Sequence, residues 1–255
     1  MKFIKIIGAE RSGVGYIAEL FRLNTLDATI LVDELGHRYE PPLEIGGIRQ
    51  FLKVNKFYMN KDINRLVKNI AQGKEKISIV VVTKNPYSWY KSMRRYRPGN
   101  EFNLELEFKR YNEVYKSYQR HFELEENSVY NKIGLVRYED MLDEQKIVDC
   151  FHYFRKTHGI LFKDKIIPEK VEGSDKFTPD RKDFYLSPGP YKIDPYTINN
   201  ITLLVDWFTI GKLCLYRPMD PREMYDFGSK NIKILTAEMQ KSGVIKILKE
   251  FIPKL

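Results

Sequence analysis

Cysteine is scarce in this chain, and Cys150 and Cys214 are too few for a disulfide framework or a zinc cluster. Histidine is nearly as rare, with four residues in 255. No apolar run approaches the roughly 18 residues that a membrane helix needs. The opening "MKFIKIIG" has no basic n-region, h-region or small-residue cleavage site. There is no internal repeat, low-complexity tract or obvious linker. These absences exclude a disulfide scaffold and a solenoid, and they set the expectation of a reducing, cytoplasmic location.

What is present suits a packed α/β protein. Hydrophobic residues make up 43% and charged residues 30%, enough to bury a sizeable core. The 43 Lys and Arg against 34 Asp and Glu leave a net charge of +9, which favours an anionic partner. Residues 1–255 are expected to form one domain, with 219–255 as a C-terminal extension.

Strand and helix patterns alternate through the first 160 residues. Met1 to Ile7 suits a short buried strand, "GAERSG" is a turn, and a helix opens at about Gly13 with Ile17, Leu20, Phe21 and Leu23 at helical spacing. A strand at 28–32 precedes the polar loop "DELGHRYEPPLEIGG". A helix is expected over 62–73, capped by Asp62 and stopped by Gly73. "ISIVVV" (77–82) is apolar on both faces, the mark of a central parallel strand. Helices at 103–124, 143–154 and 202–213 and a strand at 132–138 follow. The economical architecture is a central parallel β-sheet flanked by helices, with right-handed crossovers. The tail "SGVIKILKEFIPKL" reads as a packing or homodimer helix, not a membrane anchor.

Two loops carry chemistry. In parallel α/β sheets, ligands sit beyond the carboxyl ends of the strands, where loops enter helix N-termini. "GAERSGVGY" lies there: amides at Ser12 to Gly15 can face an anion on the helix dipole, Gly13 and Gly15 allow close approach, and Arg11 adds charge. The Gly-Lys-Ser/Thr ending of an ATP- or GTP-binding loop is missing, which argues against a kinase. "KNPYSWYKSMRRY" follows the next core strand, with Lys84 at the strand end and Ser92 eight residues later, on a helix opened by Pro86. A cation and a hydroxyl so placed can grip one phosphate from two sides. Trp89 and Tyr90 read as core packing, and Arg94, Arg95 and Arg97 as a solvated face.

These motifs resemble the sulfotransferases that use 3'-phosphoadenosine 5'-phosphosulfate (PAPS). That family has a Lys or Arg followed by Ser-Gly-Thr-Thr after the first strand. It also has a strand-end basic residue, then Asn or Asp with Pro, then a serine eight residues after the base. "RSGVG" and "KNPYSWYKS" are similar to these, "VRYEDML" resembles the family's Tyr-Glu-Asp segment, and "INNITLLVDWFTIGKLCLYRP" its closing helix. The resemblance spans about residues 2–218 and implies a P-loop-like sulfotransferase architecture.

The resemblance implies that Arg11 contacts the sulfuryl and 5'-phosphate oxygens, with Ser12, Gly13, Val14 and Gly15 forming the rest of the loop. It implies that Lys84 and Ser92 bind the 3'-phosphate and that Tyr138 lies near the adenine. Lys170, Lys176, Arg181 and Lys182, in the long basic segment 163–195, are candidates to close over the cofactor. Sulfuryl transfer needs positioned cations more than covalent catalysis, and a base to take the acceptor proton. Arg11 suits the first role, and His37, flanked by Glu34 and Glu40, is the best placed histidine for the second. A loop histidine with no chemical role is the competing reading. His121, His152 and His158 read as surface or packing residues.

The expected activity is sulfuryl transfer from PAPS, leaving the product PAP, to a hydroxyl or amine of a glycan or small molecule. No metal, nucleic acid or membrane partner is expected. Val14 and Gly15 replace the family's hydroxyl residues, a loss of about 1–3 kcal/mol per charged contact. A non-catalytic PAP-binding module of the same fold is therefore the alternative.

Overall fold

The computed structural model describes residues 2–40, 47, 50, 61–72, 74–97, 102–123, 130–163, 166–168, 193–219 and 229–252. The chain parts into two compact units, Met1–Lys84 with Ser117–Pro179, and Asn85–Lys116 with Asp180–Leu255.

The first unit holds the whole sheet. Strands β1 (Lys2–Gly8), β2 (Ala28–Leu31), β3 (Ile77–Thr83) and β4 (Tyr130–Arg137) are all parallel and lie in the order β2-β1-β3-β4. Helices α1 (Val14–Asn24), α2 (Lys61–Ala71) and α5 (Glu144–His158) connect or follow them. This is the α/β fold with a central parallel sheet that the alternation of patterns predicts. β1 and β3 are buried on both faces, which is why their sequences run apolar instead of alternating with polar residues. Phe21 of α1 fills one face, meeting Phe151, Phe154 and Phe162 edge-on with ring centroids 5.3–6.0 Å apart.

The chain writes its own helix boundaries in this unit. Asp143 accepts from the amides of Gln145 and Lys146 and so opens α5, which continues past the expected stop at 154 to His158. It ends there because Gly159 takes a left-handed cap conformation, φ 66°. Helix α2 starts at Lys61, so Asp62 lies within its first turn and not before it; Gly73 is outside the described residues.

The second unit is helical. It contains α3 (Pro86–Tyr96), the start of α4 (Leu104–Glu123), α6 (Pro195–Leu204), α7 (Trp207–Cys214), α8 (Ser229–Ser242) and α9 (Val244–Phe251). Trp89 is buried against Phe108 and Tyr111, as a core residue should be. Tyr90 is half-buried and packs edge-on against Phe102. Arg94 and Arg95 are exposed, while Arg97 pairs with the buried Glu107 at 2.6 Å. The tail helix α9 packs within its own unit, Val244 and Leu248 joining Leu235 and Met239 in a small core. Among the described residues no helix is long and apolar enough to cross a membrane.

The helix expected over 202–213 is two helices. α6 ends at Leu204, Val205 is extended, and Asp206 caps α7 by accepting from the amide of Thr209. Asn112 holds the break open, donating to the Leu204 carbonyl at 2.8 Å and accepting from the Asp206 amide at 3.0 Å. The apolar spacing continues through the break, so periodicity alone does not reveal it. The Asp206 carboxylate also pairs with Lys116 at 3.0 Å, and these donors hold its carboxyl below the usual range against the opposing effect of burial.

Asp206→Ala should cost about 0.5–2 kcal/mol, the usual range for a lost cap. Asp206→Asn should recover most of it. Urea titration of both variants against wild type measures the difference.

Candidate functional site

β1 delivers the chain to the sheet edge at Gly8, and the loop turns there at once. The Ser12 amide donates to the Ala9 carbonyl at 3.0 Å, closing a four-residue turn. Arg11 occupies the third position of that turn at φ 62°, a left-handed conformation that usually falls to glycine. The turn is tight because its floor is close. A Cβ on Gly8 would lie 2.5 Å from Ser12 Oγ and 2.7 Å from the Val82 carbonyl oxygen. Glycine is therefore required at position 8.

The loop then enters α1 through Gly13, which is also left-handed at φ 96°. A Cβ there would lie 2.2 Å from the Tyr138 ring. Gly13 is thus demanded twice, by its backbone and by the aromatic ring beneath it. Gly13 supplies no side-chain cap, so the first-turn amides of α1 lack intrahelical partners, as at any helix N-terminus. Gly15 is half-buried in that first turn, and Val14 is buried.

Lys84 ends the first unit just beyond β3 and is 1% exposed. Its ammonium donates to the Arg11 carbonyl at 3.2 Å and lies 4.3 Å from the centroid of the Tyr138 ring. Tyr138 is itself buried, its amide donating to the Thr83 carbonyl and its ring meeting Tyr16 edge-on. Tyr16 in turn donates through its hydroxyl to the Met141 carbonyl at 2.9 Å. One cation and two aromatic rings thus support the loop from below, with the Arg11 side chain exposed above.

This arrangement differs in detail from the sequence-based picture. Arg11, Gly13, Lys84 and Tyr138 do converge. Tyr138, however, is the floor of the loop, sealed by Gly13, and not an open face. Ser12 is fully buried: its amide is committed to Ala9, and its hydroxyl, packed against Gly8, has no hydrogen-bond partner among the described residues. Ser92 lies on the buried face of α3 with Trp89 and Met93, in the second unit. The α3 N-terminus forms as its sequence directs, Asn85 accepting from the Tyr87 amide at 3.0 Å with Pro86 in the first turn. Lys170, Lys176, Arg181 and Lys182 lie outside the described residues.

A second loop, residues 32–40, follows β2. The Gly8 amide donates to the Arg38 carbonyl at 3.0 Å, which ties this loop to the base of the first. Asp33 and Arg38 close it with a two-pronged ion pair, and Arg38 holds the Asp33 carboxyl below its usual range. His37 is exposed; its Nδ1 accepts from the Tyr39 amide at 3.4 Å and its ring meets that of Tyr39 edge-on. Burial pushes the Tyr39 phenol up, while Arg38 and Arg11 pull it down and Glu10 pushes it up. Tyr39 thus lies within electrostatic reach of Arg11, and sequence inspection did not single it out.

The other residue missed is Lys5. It interrupts the apolar strand β1 yet is 2% exposed, and its ammonium donates to the carbonyls of Val32, Glu34 and Gly36. The only sequence signal is a lysine between Ile4 and Ile6 in a central strand. Among the remaining candidates, His158 is buried against Phe154, whereas His152 is exposed on α5. The whole edge is suited to holding an anion: an uncapped helix N-terminus, an exposed guanidinium, and a buried ammonium below the turn.

Gly13→Ala should destabilise the chain by about 2 kcal/mol or more, combining left-handed strain with overpacking against Tyr138. The urea midpoint measures it, and a value within 0.5 kcal/mol of wild type would contradict the close approach described.

Comparison of the chain with protein-family models, with curated proteins and with solved structures finds no match, so the case for this site rests on the residues and geometry described above.

Proposed function

We propose that the protein is a sulfotransferase that moves the sulfuryl group of PAPS to a hydroxyl or amine of a glycan or small-molecule acceptor. The observation that carries this reading is the anion-ready turn before α1: Arg11 exposed at its crest, its carbonyl held by buried Lys84, and the first-turn amides of α1 behind it.

When bound, PAPS supplies the activated sulfuryl group, and the chain supplies charge and placement. Arg11 offsets the negative charge that develops on the sulfuryl oxygens. The first-turn amides at Val14 and Gly15 receive the 5'-phosphate. Lys84 and Ser92 are assigned to the 3'-phosphate on the sequence pattern. For Lys84 this means exchanging the Arg11 carbonyl for a phosphate oxygen. His37 takes the proton of the acceptor. A cytoplasmic location belongs to the same reading.

A second reading, a PAP-binding module without catalysis, has its own support. Ser12 is turned inward, and Val14 is buried where the resembling family carries a hydroxyl. The two readings share the nucleotide and part at transfer. Radiolabelled sulfate transfer from PAPS to a panel of sugar and phenol acceptors separates them.

PAP at about 100 times its Kd should stabilise the wild type by about 2.7 kcal/mol, a Tm rise of about 5–10 °C. Arg11→Gly removes the guanidinium while suiting φ 62°, so the variant should fold at least as well and lose most of that rise. Ser92→Ala should lose a part. A wild type whose Tm ignores PAP would refute the nucleotide assignment.

A further inference from the structure

A lysine in the middle of a central strand is costly to bury. The register sets Lys5 beside Leu31 on one neighbour and Ile79 on the other, with no acidic partner on either strand. The compensation comes from elsewhere. An ammonium has three N–H donors and no acceptor, and Lys5 directs them at the carbonyls of Val32, Glu34 (2.7 Å) and Gly36 (2.7 Å). These acceptors alternate along the second loop, so a single cation gathers the loop into a collar. Leu35 and Gly36, at φ 63° and 105°, lie inside it in left-handed conformations that Leu35 would not adopt unaided. The collar runs straight on into His37, Arg38 and Tyr39, and Arg38 is bonded back to Gly8.

We propose that Lys5 is a positioning residue: its buried ammonium folds residues 32–36 and thereby sets His37 and Tyr39 beside the Arg11 turn. Its acceptor-side role rests on the sulfuryl-transfer reading, whereas the control of the loop does not. The charged groups around the ammonium are Glu34, Asp33, Arg38 and Glu40, all from the loop itself. Burial lowers the Lys5 ammonium to about 8, with Glu34 and Asp33 pulling the other way.

Hydrogen exchange of peptides spanning 32–40, corrected for intrinsic exchange chemistry, tests this. Lys5→Met should show lower protection than wild type across 32–40, and the His37 ring nitrogen resonances should shift as the Tyr39 contact loosens. Equal protection in the two proteins, with unchanged His37 resonances, would overturn the proposal. If Lys5→Met does not fold, Lys5→Gln takes its place, and wild-type protection of 32–40 in that variant overturns the proposal. A missing PAP effect on Tm would remove the nucleotide reading and leave the loop result standing.

Discussion

Two buried ammoniums, Lys5 from the middle of β1 and Lys84 from just beyond β3, hold the loops at the carboxyl edge of the sheet. Lys5 and Lys84 are 2% and 1% exposed, and the ammonium of each donates to main-chain carbonyls. Removing a charge from water without compensation costs several kcal/mol, so each ammonium must find polar partners within reach. Main-chain carbonyls of the loops that leave β1 and β2 are such partners. The loops bend to offer them, and their irregular backbones are the consequence. Arg11 and Leu35, non-glycine residues at positive φ, are each held next to one of these cations. Strain of this kind persists only where surrounding structure fixes it, and it clusters where ligands are held.

The same arrangement explains the chemistry proposed for the site. A carbonyl turned inward toward Lys84 leaves the Arg11 side chain on the outer surface of the turn, beside the positive end of α1. Lys5 does the corresponding work for the second loop, whose Arg38 carbonyl is bonded to Gly8 at the foot of the first. The two loops therefore share one base. A basic chain with few histidines can in this way assemble a cationic crest and a histidine-bearing flank from strand ends.

Much of this was legible in the chain. The apolar run 77–82 sits at the centre of a parallel sheet because no polar face could be left to water. Asn85 and Pro86 mark the start of α3, and Asp143 the start of α5, because capping is decided by neighbours two or three residues away. Gly8 and Gly13 stood in a glycine-bearing loop, though the reason for Gly13 is a ring 125 positions distant. Other features could not be read. The break at Val205 depends on Asn112, a residue of another helix, and the apolar spacing passes through it unchanged. The burial of Tyr138 and Ser12 could not be read either, because their environment is set by strands and turns remote in sequence.

By itself, the sequence determined the alternation of elements, the parallel sheet, the helix caps and the two loops at one sheet edge. All of these follow from local periodicity and short-range hydrogen bonding. Tertiary structure alone decided which way the charged side chains of that edge point. Lys5 and Lys84 turn inward to loop carbonyls and Arg11 outward, a choice made by the balance between desolvation and the acceptors that the folded chain brings within reach.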